Sequence, residues 1–215
     1  MTVHHVLQGS PEWHALRVGK VTASRVSDVV ATLKSGGWGA SRANYLAELV
    51  LERLTGRAVE GFVSQDMITG TLREPDARAE YELRLRCEVE QIGFVDHPSI
   101  PMTGASADGF VGTDGMVEFK CPKPATHLST LRSKTIPGDY LTQIMWNLAC
   151  NPARKWCDYC SYNPEFPEAM ILYRQRFMRD DSRIAALEKQ VRAFLAELDT
   201  EVKALSVLYD RKVAA

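Results

Sequence analysis

The sequence predicts a mixed α/β fold in which a small central sheet is flanked by helices. The first part of the chain carries helical periodicity, the middle carries short alternating runs that are typical of strands, and residues 181–208 form one long amphipathic pattern. With 215 residues, of which 45% are hydrophobic and 25% charged, the chain can bury a sizeable core. We therefore predict a single domain over residues 1–215.

Four helices are predicted before the sheet. They cover residues 11–19, 22–31, the segment from Ser41 to Gly56, and 71–86. Thr22 or Ser24 could cap the second helix and Ser41 the third, because short hydroxyl side chains satisfy free amides at helix starts. Gly56 ends the third helix in the usual C-terminal position. Pro75 removes one backbone donor from the fourth helix and bends its early turns.

The middle of the chain predicts strands at residues 88–95, 103–111, 116–121, 155–162 and 170–177. A tight turn at Thr113-Asp114-Gly115 joins the second and third strands. A helix at 140–150 interrupts the sheet. The glycine-rich segment 34–44 is predicted to be a loop. Residues 119–138, which include the end of the third strand and a basic loop after it, contain no acid.

The composition of the chain predicts the cellular compartment of the protein and the state of its cysteines. No apolar run reaches the roughly 20 residues that span a bilayer, and the N-terminus lacks the pattern of a signal peptide, so we expect a cytosolic protein. Its five cysteines are expected to be free thiols. Cys157 and Cys160 form a CxxC pair, but a zinc site would need two further ligands, and alternating strand positions explain the pair better. The net charge of −1 permits DNA binding, since only the contact face must be basic.

The residues best suited to metal binding and catalysis lie in the predicted hairpin. Asp108 precedes the turn, and Glu118 and Lys120 share one face of the strand that follows it. Two carboxylates held together repel each other unless a cation joins them, and Mg²⁺ or Mn²⁺ prefers such hard oxygen ligands. The lysine can orient an attacking water or help to deprotonate it, and the ion polarises a phosphate, so the group suits phosphodiester hydrolysis.

The same charges could form an exposed cross-strand ladder. Three features favour a site instead. A Cys-Pro pair and a basic loop follow Lys120, Asp108 lies in a rigid Ser-Ala-Asp-Gly turn, and the flanking helices carry Glu74 and Gln143.

The hairpin SADGFVGTDGMVEFKCP, residues 106–122, resembles the core of the lambda exonuclease family, also described as YqaJ-type viral recombinases. This family is a branch of the restriction-endonuclease-like PD-(D/E)xK nucleases. Three further motifs resemble the family's pattern in the same order: WHALRVG with Thr22-Ala23-Ser24, then Gly70 to Glu74 with Pro75, Ala77 and Tyr81, then Gln143 within YLTQIM.

The resemblance implies a restriction-endonuclease-like nuclease domain spanning residues 1–215. It implies a 5′-to-3′ exonuclease that digests the 5′ strand of duplex DNA from an end and leaves a 3′ overhang for recombination by strand annealing. Asp108, Glu118 and the carbonyl of Phe119 would hold Mg²⁺, with Mn²⁺ as a substitute and two ions per site. Lys120 would position the water. Supporting roles would fall to two further residues, Glu74 and Gln143.

The resemblance also assigns Arg17, Ser24 and Ser106 to the terminal 5′ phosphate, a role that arginine and hydroxyl groups suit chemically. Simpler interpretations stay open: Arg17 as a surface ion-pair residue, Ser24 as a helix cap, and Gln143 as a satisfied polar helix residue. Trp13 is expected in the core rather than stacked on DNA. Lys34 and Trp38, in the 34–44 loop, could wedge into the duplex end.

The family further implies a ring-shaped homotrimer, a single-strand annealing protein as partner, 5′-phosphorylated duplex ends as substrate, and a phage or prophage gene expressed in bacterial cytoplasm. No membrane association is expected. Two other functions remain open: a structure-specific or restriction-type endonuclease on the same core, and a non-catalytic module that binds DNA ends. An iron–sulfur nuclease is disfavoured because no four-cysteine set is evident.

Overall fold

The computed structural model describes residues 2–59, 61 and 64–213, with side chains up to residue 209. Its helices are α1 (Pro11–Arg17), α2 (Val26–Val29), α3 (Ala40–Thr55), α4 (Gln65–Leu85), α5 (Pro124–Ser133), α6 (Gly138–Cys150) and α7 (Asp181–Val213). Its strands are β1 (Val3–His4), β2 (Val21–Thr22), β3 (Val89–Glu90), β4 (Phe94–Asp96), β5 (Thr103–Ala105), β6 (Gly109–Val111), β7 (Gly115–Lys120), β8 (Trp156–Tyr162) and β9 (Leu172–Met178).

These elements form two compact units, each built from separate stretches of the chain. The first unit contains Met1–Glu60, Gly93–Ser106 and Asp181–Ala215, and the second contains Gly61–Ile92 and Ala107–Asp180. The predicted mixed α/β class is confirmed, although the strands form two small mixed sheets where one was expected. The single nuclease domain over residues 1–215 stays a prediction.

The first unit is a four-stranded sheet accompanied by the helices α3 and α7. The strand order is β1-β4-β5-β2, with β2 parallel to β5 and the other pairs antiparallel. Tyr45 of α3 stacks on Phe194 of α7 with 5.9 Å between ring centroids. The amphipathic pattern predicted for the last helix is confirmed by its buried face, formed by Ile184, Leu187, Val191, Phe194, Leu195 and Leu198.

The second unit is a five-stranded sheet of order β3-β6-β7-β8-β9. Only β7 and β8 run parallel among its pairs, and the chain passes through α5 and α6 between them. Residues of α4 pack against one face of β7 and β8 in a core cluster that contains Ala77, Tyr81, Val117, Phe119, Cys160 and Tyr162. On the other face, Glu118 of β7 bonds to side chains of α6. Helical side chains therefore contact both faces of β7.

Two predicted helix caps are wrong. Ser41 lies inside α3, whose cap position is Gly39 with no side-chain hydrogen bond. Thr22 precedes a 3₁₀ turn at Ala23–Arg25 without capping it, and Ser24 lies within that turn. Gly56 does end α3, with a left-handed φ of 67° that suits a residue without a side chain.

Two predicted strands each divide in the structure. The predicted strand at residues 88–95 corresponds to β3 and β4, and the predicted strand at 103–111 corresponds to β5 and β6. In each case one strand belongs to the four-stranded sheet and the other to the five-stranded sheet. The second break falls at Ser106 to Asp108, where the Asp108 carboxylate accepts the backbone amide of Phe119. The hairpin turn is Gly112-Thr113-Asp114, one residue earlier than predicted, because Val111 pairs with Gly115.

Four elements were missed or mis-bounded by the sequence patterns. The predicted basic loop contains α5, which begins at Pro124, where a missing amide costs a helix nothing. α4 begins at Gln65, earlier than predicted, because the Ser64 side chain accepts the Met67 amide at 3.2 Å. The short strands β1 and β2 had no periodic signal.

The cysteines are free thiols, as predicted. Cys157 and Cys160 are both fully buried in β8, three positions apart and so on opposite sides of the strand. Their spacing therefore reflects strand packing. No helix in the described part of the chain is long and apolar enough to cross a membrane.

Candidate active site

Glu118, at the middle of β7, is the centre of a polar network in the second unit. Its side chain is fully buried, and Lys120 Nζ donates to its Oε1 over 2.6 Å. The hairpin register pairs Gly109 with Val117. Asp108 therefore lies beside the strand, and its Oδ2 accepts the amide of Phe119 at 2.6 Å. The predicted grouping of Asp108, Glu118 and Lys120 is present in the fold.

The helix α6 supplies two amide donors to the same carboxylate. Gln143 Nε2 donates to Glu118 Oε1 at 2.5 Å, and Asn147 Nδ2 donates to Oε2 at 2.8 Å. The two amides lie four residues apart and hence on one helix face. Gln143 was predicted at the site, whereas Asn147 was missed. An asparagine within the apolar run IMWNLAC was the signal that could have revealed it.

The acids of this network repel one another. Burial, followed by the charges of Glu118 and Glu74, raises the pKa of Asp108 well above its ordinary value, against the opposing effect of Lys120. Burial and Glu118 also raise the pKa of Glu74, although Arg78 lies 3.8 Å away and opposes the shift. A bound cation would relieve this repulsion, so the arrangement of the acids favours binding of an additional cation.

Lys120 is a cation in this network. Burial alone lowers the pKa of its ammonium group, but attraction to Glu118 and Asp108 outweighs burial, and the net pKa lies above the ordinary lysine value. Its Nζ also lies 5.2 Å from the ring centroid of Tyr140. The ammonium group is thus held by charge and by an aromatic face.

These residues fit a hard divalent cation. Asp108 and Glu118 offer carboxylate oxygens, and the carbonyl of Phe119 could add a third ligand. Mg²⁺ keeps several waters and needs few protein ligands. Among the described residues no three His, Cys, Asp or Glu side chains form a complete ligand set, so Glu74 is not preassembled with the other two acids. An adjacent cleft of about 480 Å³ is lined by Gly70, Thr71, Glu74, Phe119, Lys120 and Tyr140, among others.

The three residues predicted to hold the 5′ phosphate are linked within the first unit. Arg17 Nη2 donates to Thr22 Oγ1 at 3.4 Å, and that oxygen lies 3.5 Å from Ser24 Oγ. Trp13 Nε1 donates to Ser106 Oγ at 2.9 Å, and the Arg17 guanidinium lies 4.0 Å above the Trp13 ring. Trp13 is half-buried and bridges Arg17 to Ser106, so the expected core position is wrong.

Arg17 differs from the other cations of its pocket, a cavity of about 200 Å³. Lys20 pairs with Asp96, and Arg25 pairs with Asp28 and Glu48. Within the part of the chain that the structure describes, no carboxylate lies within ion-pair distance of Arg17. Burial lowers its pKa to about 10, so it remains positive at neutral pH.

The 34–44 loop exposes an aromatic ring. Trp38 is 54% exposed, and the Arg42 guanidinium lies 4.1 Å from its ring centroid. Lys34 is exposed as well. The wedge role for these two residues stays a prediction.

A second buried carboxylate supports the sheet. Asp158 of β8 is fully buried and accepts hydrogen bonds from Tyr81 at 2.9 Å and from Arg174 and Arg176 at 2.8–3.1 Å. Burial alone raises the pKa of Asp158, but the Arg176 and Tyr81 hydrogen bonds outweigh it and the net pKa is lowered. Tyr81 lies two turns beyond Glu74 on α4, so this network ties α4 to the sheet.

Known proteins with a similar sequence and structure identify the family to which this chain belongs. The YqaJ-like viral recombinase domain matches residues 12–154, and this chain belongs to that family. The alkaline exonuclease of Laribacter hongkongensis is 43% identical, with 95% of this chain and 98% of that chain covered and a TM-score of 0.85. Its complex with dAMP matches over the same shares, with a TM-score of 0.86.

A more distant structure shares the fold alone. The phage-related exonuclease of Haemophilus somnus 129PT is 12% identical, with 87% of this chain and 96% of that chain covered and a TM-score of 0.72. No curated protein matches the chain. The resemblance to the lambda exonuclease family and the restriction-endonuclease-like fold are thus confirmed.

Proposed function

We propose that this protein is a metal-dependent 5′-to-3′ exonuclease that digests the 5′ strand of duplex DNA from an end and leaves a 3′ overhang for recombination by strand annealing. The observation that carries the proposal is the buried network of Asp108, Glu118 and Lys120. Family membership and the exonuclease activity in the names of the relatives support it. The dAMP bound by one relative supports a site that accepts a nucleotide.

Each residue of the network has a task in this proposal. Asp108, Glu118 and the Phe119 carbonyl would hold Mg²⁺ or Mn²⁺, which when bound supplies charge neutralisation and Lewis-acid activation of the phosphate. Lys120, protonated and anchored on Glu118, orients the attacking water. Gln143 holds the Glu118 carboxylate in place. A second ion near Glu74 would follow the family's pattern, and the cleft beside Glu74 leaves room for it.

The pocket around Arg17 supports recognition of a 5′-phosphorylated end. A guanidinium without a carboxylate partner can give its donors to phosphate oxygens in a fork. The hydroxyl groups of Ser24 and Ser106 would add further donors. Recognition of the terminal phosphate would fix which strand is digested.

The proposed oligomeric state, partner protein and cellular location rest on the family resemblance alone. They comprise a homotrimeric ring that encloses the DNA, a single-strand annealing protein as partner, and a phage or prophage enzyme working in bacterial cytoplasm. The oligomeric state is measurable by light scattering.

A digestion assay tests the proposal. Linear duplexes carry a distinct label on each strand and either a phosphate or a hydroxyl at each 5′ end, and a closed circular duplex serves as the matched substrate without ends. We expect Mg²⁺-dependent loss of the 5′ strand, faster from phosphorylated ends, and an intact circle. Cleavage of the circle would support the endonuclease alternative, and end binding without cleavage would support the non-catalytic one.

A further inference from the structure

The side chain of Asn147 donates a hydrogen bond to the Glu118 carboxylate oxygen to which neither Lys120 nor Gln143 donates. Lys120 and Gln143 both donate to Oε1, at 2.6 and 2.5 Å, whereas Oε2 accepts from Asn147 Nδ2 at 2.8 Å. The Asn147 side chain is fully buried. The carboxylate is therefore fixed at both oxygens, and its plane cannot rotate without breaking a charge-assisted hydrogen bond.

Packing alone does not explain an asparagine at this position. All its helix neighbours from Ile144 to Cys150 are buried, and most of them are apolar. Its Oδ1 atom is buried, with no hydrogen-bond partner among the described residues. A lone buried acceptor is unfavourable, so an apolar residue would suit the surroundings better. The opposite amide orientation would place Oδ1 against the Glu118 carboxylate, where two acceptors repel.

We infer that Asn147 is a positioning residue for the metal site. By donating to Oε2, while Lys120 and Gln143 donate to Oε1, it fixes the orientation of the carboxylate that would bind the cation. The inference rests on the proposed function, in which Glu118 is a metal ligand. It adds a residue of this chain that none of the sequence motifs contains.

Direct metal binding tests the inference. Mn²⁺ is titrated into metal-free protein without DNA, and free Mn²⁺ is followed by electron paramagnetic resonance. The parent is compared with Asn147→Leu, which keeps a side chain branched at Cγ and removes the donor. We expect about 10- to 100-fold weaker binding in the variant, the usual effect of losing a partner that orients a ligand. Saturating Mn²⁺ should return kcat towards the parent value, because the ligands themselves remain.

Asn151 provides the matched control. Its side chain is buried, and its amide donates to the Asn147 carbonyl at 2.8 Å rather than to the Glu118 carboxylate. Asn151→Ala should lower thermal stability and leave Mn²⁺ affinity unchanged. Equal losses of affinity in both variants would mean a general structural effect and would overturn the inference.

The remaining outcomes separate this inference from the proposed function. Parent-like Mn²⁺ affinity in a folded Asn147→Leu variant would overturn the inference alone. If that variant fails to fold, Asn147→Ala replaces it, and failure of both while Asn151→Ala folds would show a structural role and also overturn it. A parent protein that binds no Mn²⁺ and cleaves no DNA would overturn the proposed function itself.

Discussion

The polar network around Glu118 in the second unit and the pocket around Arg17 in the first unit are organised in opposite ways. Around Glu118 the side-chain hydrogen bonds are 2.5–2.8 Å long and converge on one buried carboxylate. Around Arg17 the side-chain contacts to and from Thr22 are 3.4–3.5 Å long, and Ser24 is exposed. Neighbouring carboxylates repel each other, so the protein must hold them in place before a cation binds. In a cationic pocket the hydrogen-bond donors can stay available for an anionic ligand.

The greatest loss of activity is predicted for a substitution in the polar network around Glu118. Lys120→Met removes the ammonium group and keeps most of the apolar stem. Cleavage should fall by about 100- to 1,000-fold or more, as it does when a preorganised charge is lost from an active site, while binding of duplex ends should persist. Gel digestion and fluorescence anisotropy measure the two properties.

Lys155→Met is the control for that substitution, since Lys155 is 71% exposed and its ion pair with Asp114 is long at 3.5 Å. It should cleave DNA at the parent rate. Unchanged digestion by Lys120→Met would show that the network is structural and that chemistry occurs elsewhere.

The next effect concerns stability of the second unit. Asp158→Asn removes the charge that Arg174 and Arg176 neutralise, and the free energy of unfolding should fall by about 2 to 3 kcal/mol at neutral pH. Because the folded-state pKa of Asp158 is lowered, its contribution is full above the unfolded-state pKa of about 3.9 and is lost as pH falls through the folded-state value.

Denaturant titrations of the parent and Asp158→Asn across pH check this sign. The difference between the two proteins should be largest at neutral pH and shrink in acid. A difference that grows as the pH falls would mean that Asp158 is not held as a carboxylate.

In the first unit, Arg17→Ala should abolish the preference for 5′-phosphorylated ends. The rate on these ends should fall by about tenfold, equivalent to one charge-assisted hydrogen bond, with little change on 5′-hydroxyl ends. Arg25→Ala is the comparison, because its guanidinium is already engaged by Asp28 and Glu48. An equal loss of preference in both variants would contradict the special role of Arg17.

The smallest effect is expected for Trp13→Phe, which keeps a ring beneath Arg17 and removes the donor to Ser106 Oγ. The loss of one neutral hydrogen bond corresponds to about 1 kcal/mol, or about fivefold in selectivity for phosphorylated ends. Competition between phosphorylated and hydroxyl duplexes in one reaction resolves such a difference. Parent-like selectivity would show that Ser106 does not need Trp13.

The sequence was most informative where local patterns decide the structure. Alternation along β7 predicted correctly that Glu118 and Lys120 share a face, and helical periodicity located α6 and α7. The pairing of Asp108 with this strand also followed, because a hairpin brings neighbouring segments together.

Tertiary contacts decided what the patterns missed. The division at Ser106 to Asp108 depends on a hydrogen bond to Phe119, eleven residues from Asp108. The sequence pattern did not predict the helix α5, because basic residues and a proline are equally common in loops. Asn147 has an apolar sequence context, and only the fold brings it to Glu118.

In the proposed function, Asp108, Glu118 and Lys120 form a metal-dependent hydrolytic centre. The most direct test is the rate of nucleotide release from a 5′-phosphorylated linear duplex while Mg²⁺ is added to metal-free protein, with the parent measured beside Asp108→Asn. We predict no release by the parent without Mg²⁺, rapid release with it, and none above background by a folded Asp108→Asn variant at any Mg²⁺ concentration. Equal release by both proteins, or release by the parent in the presence of a chelator, would contradict the claim.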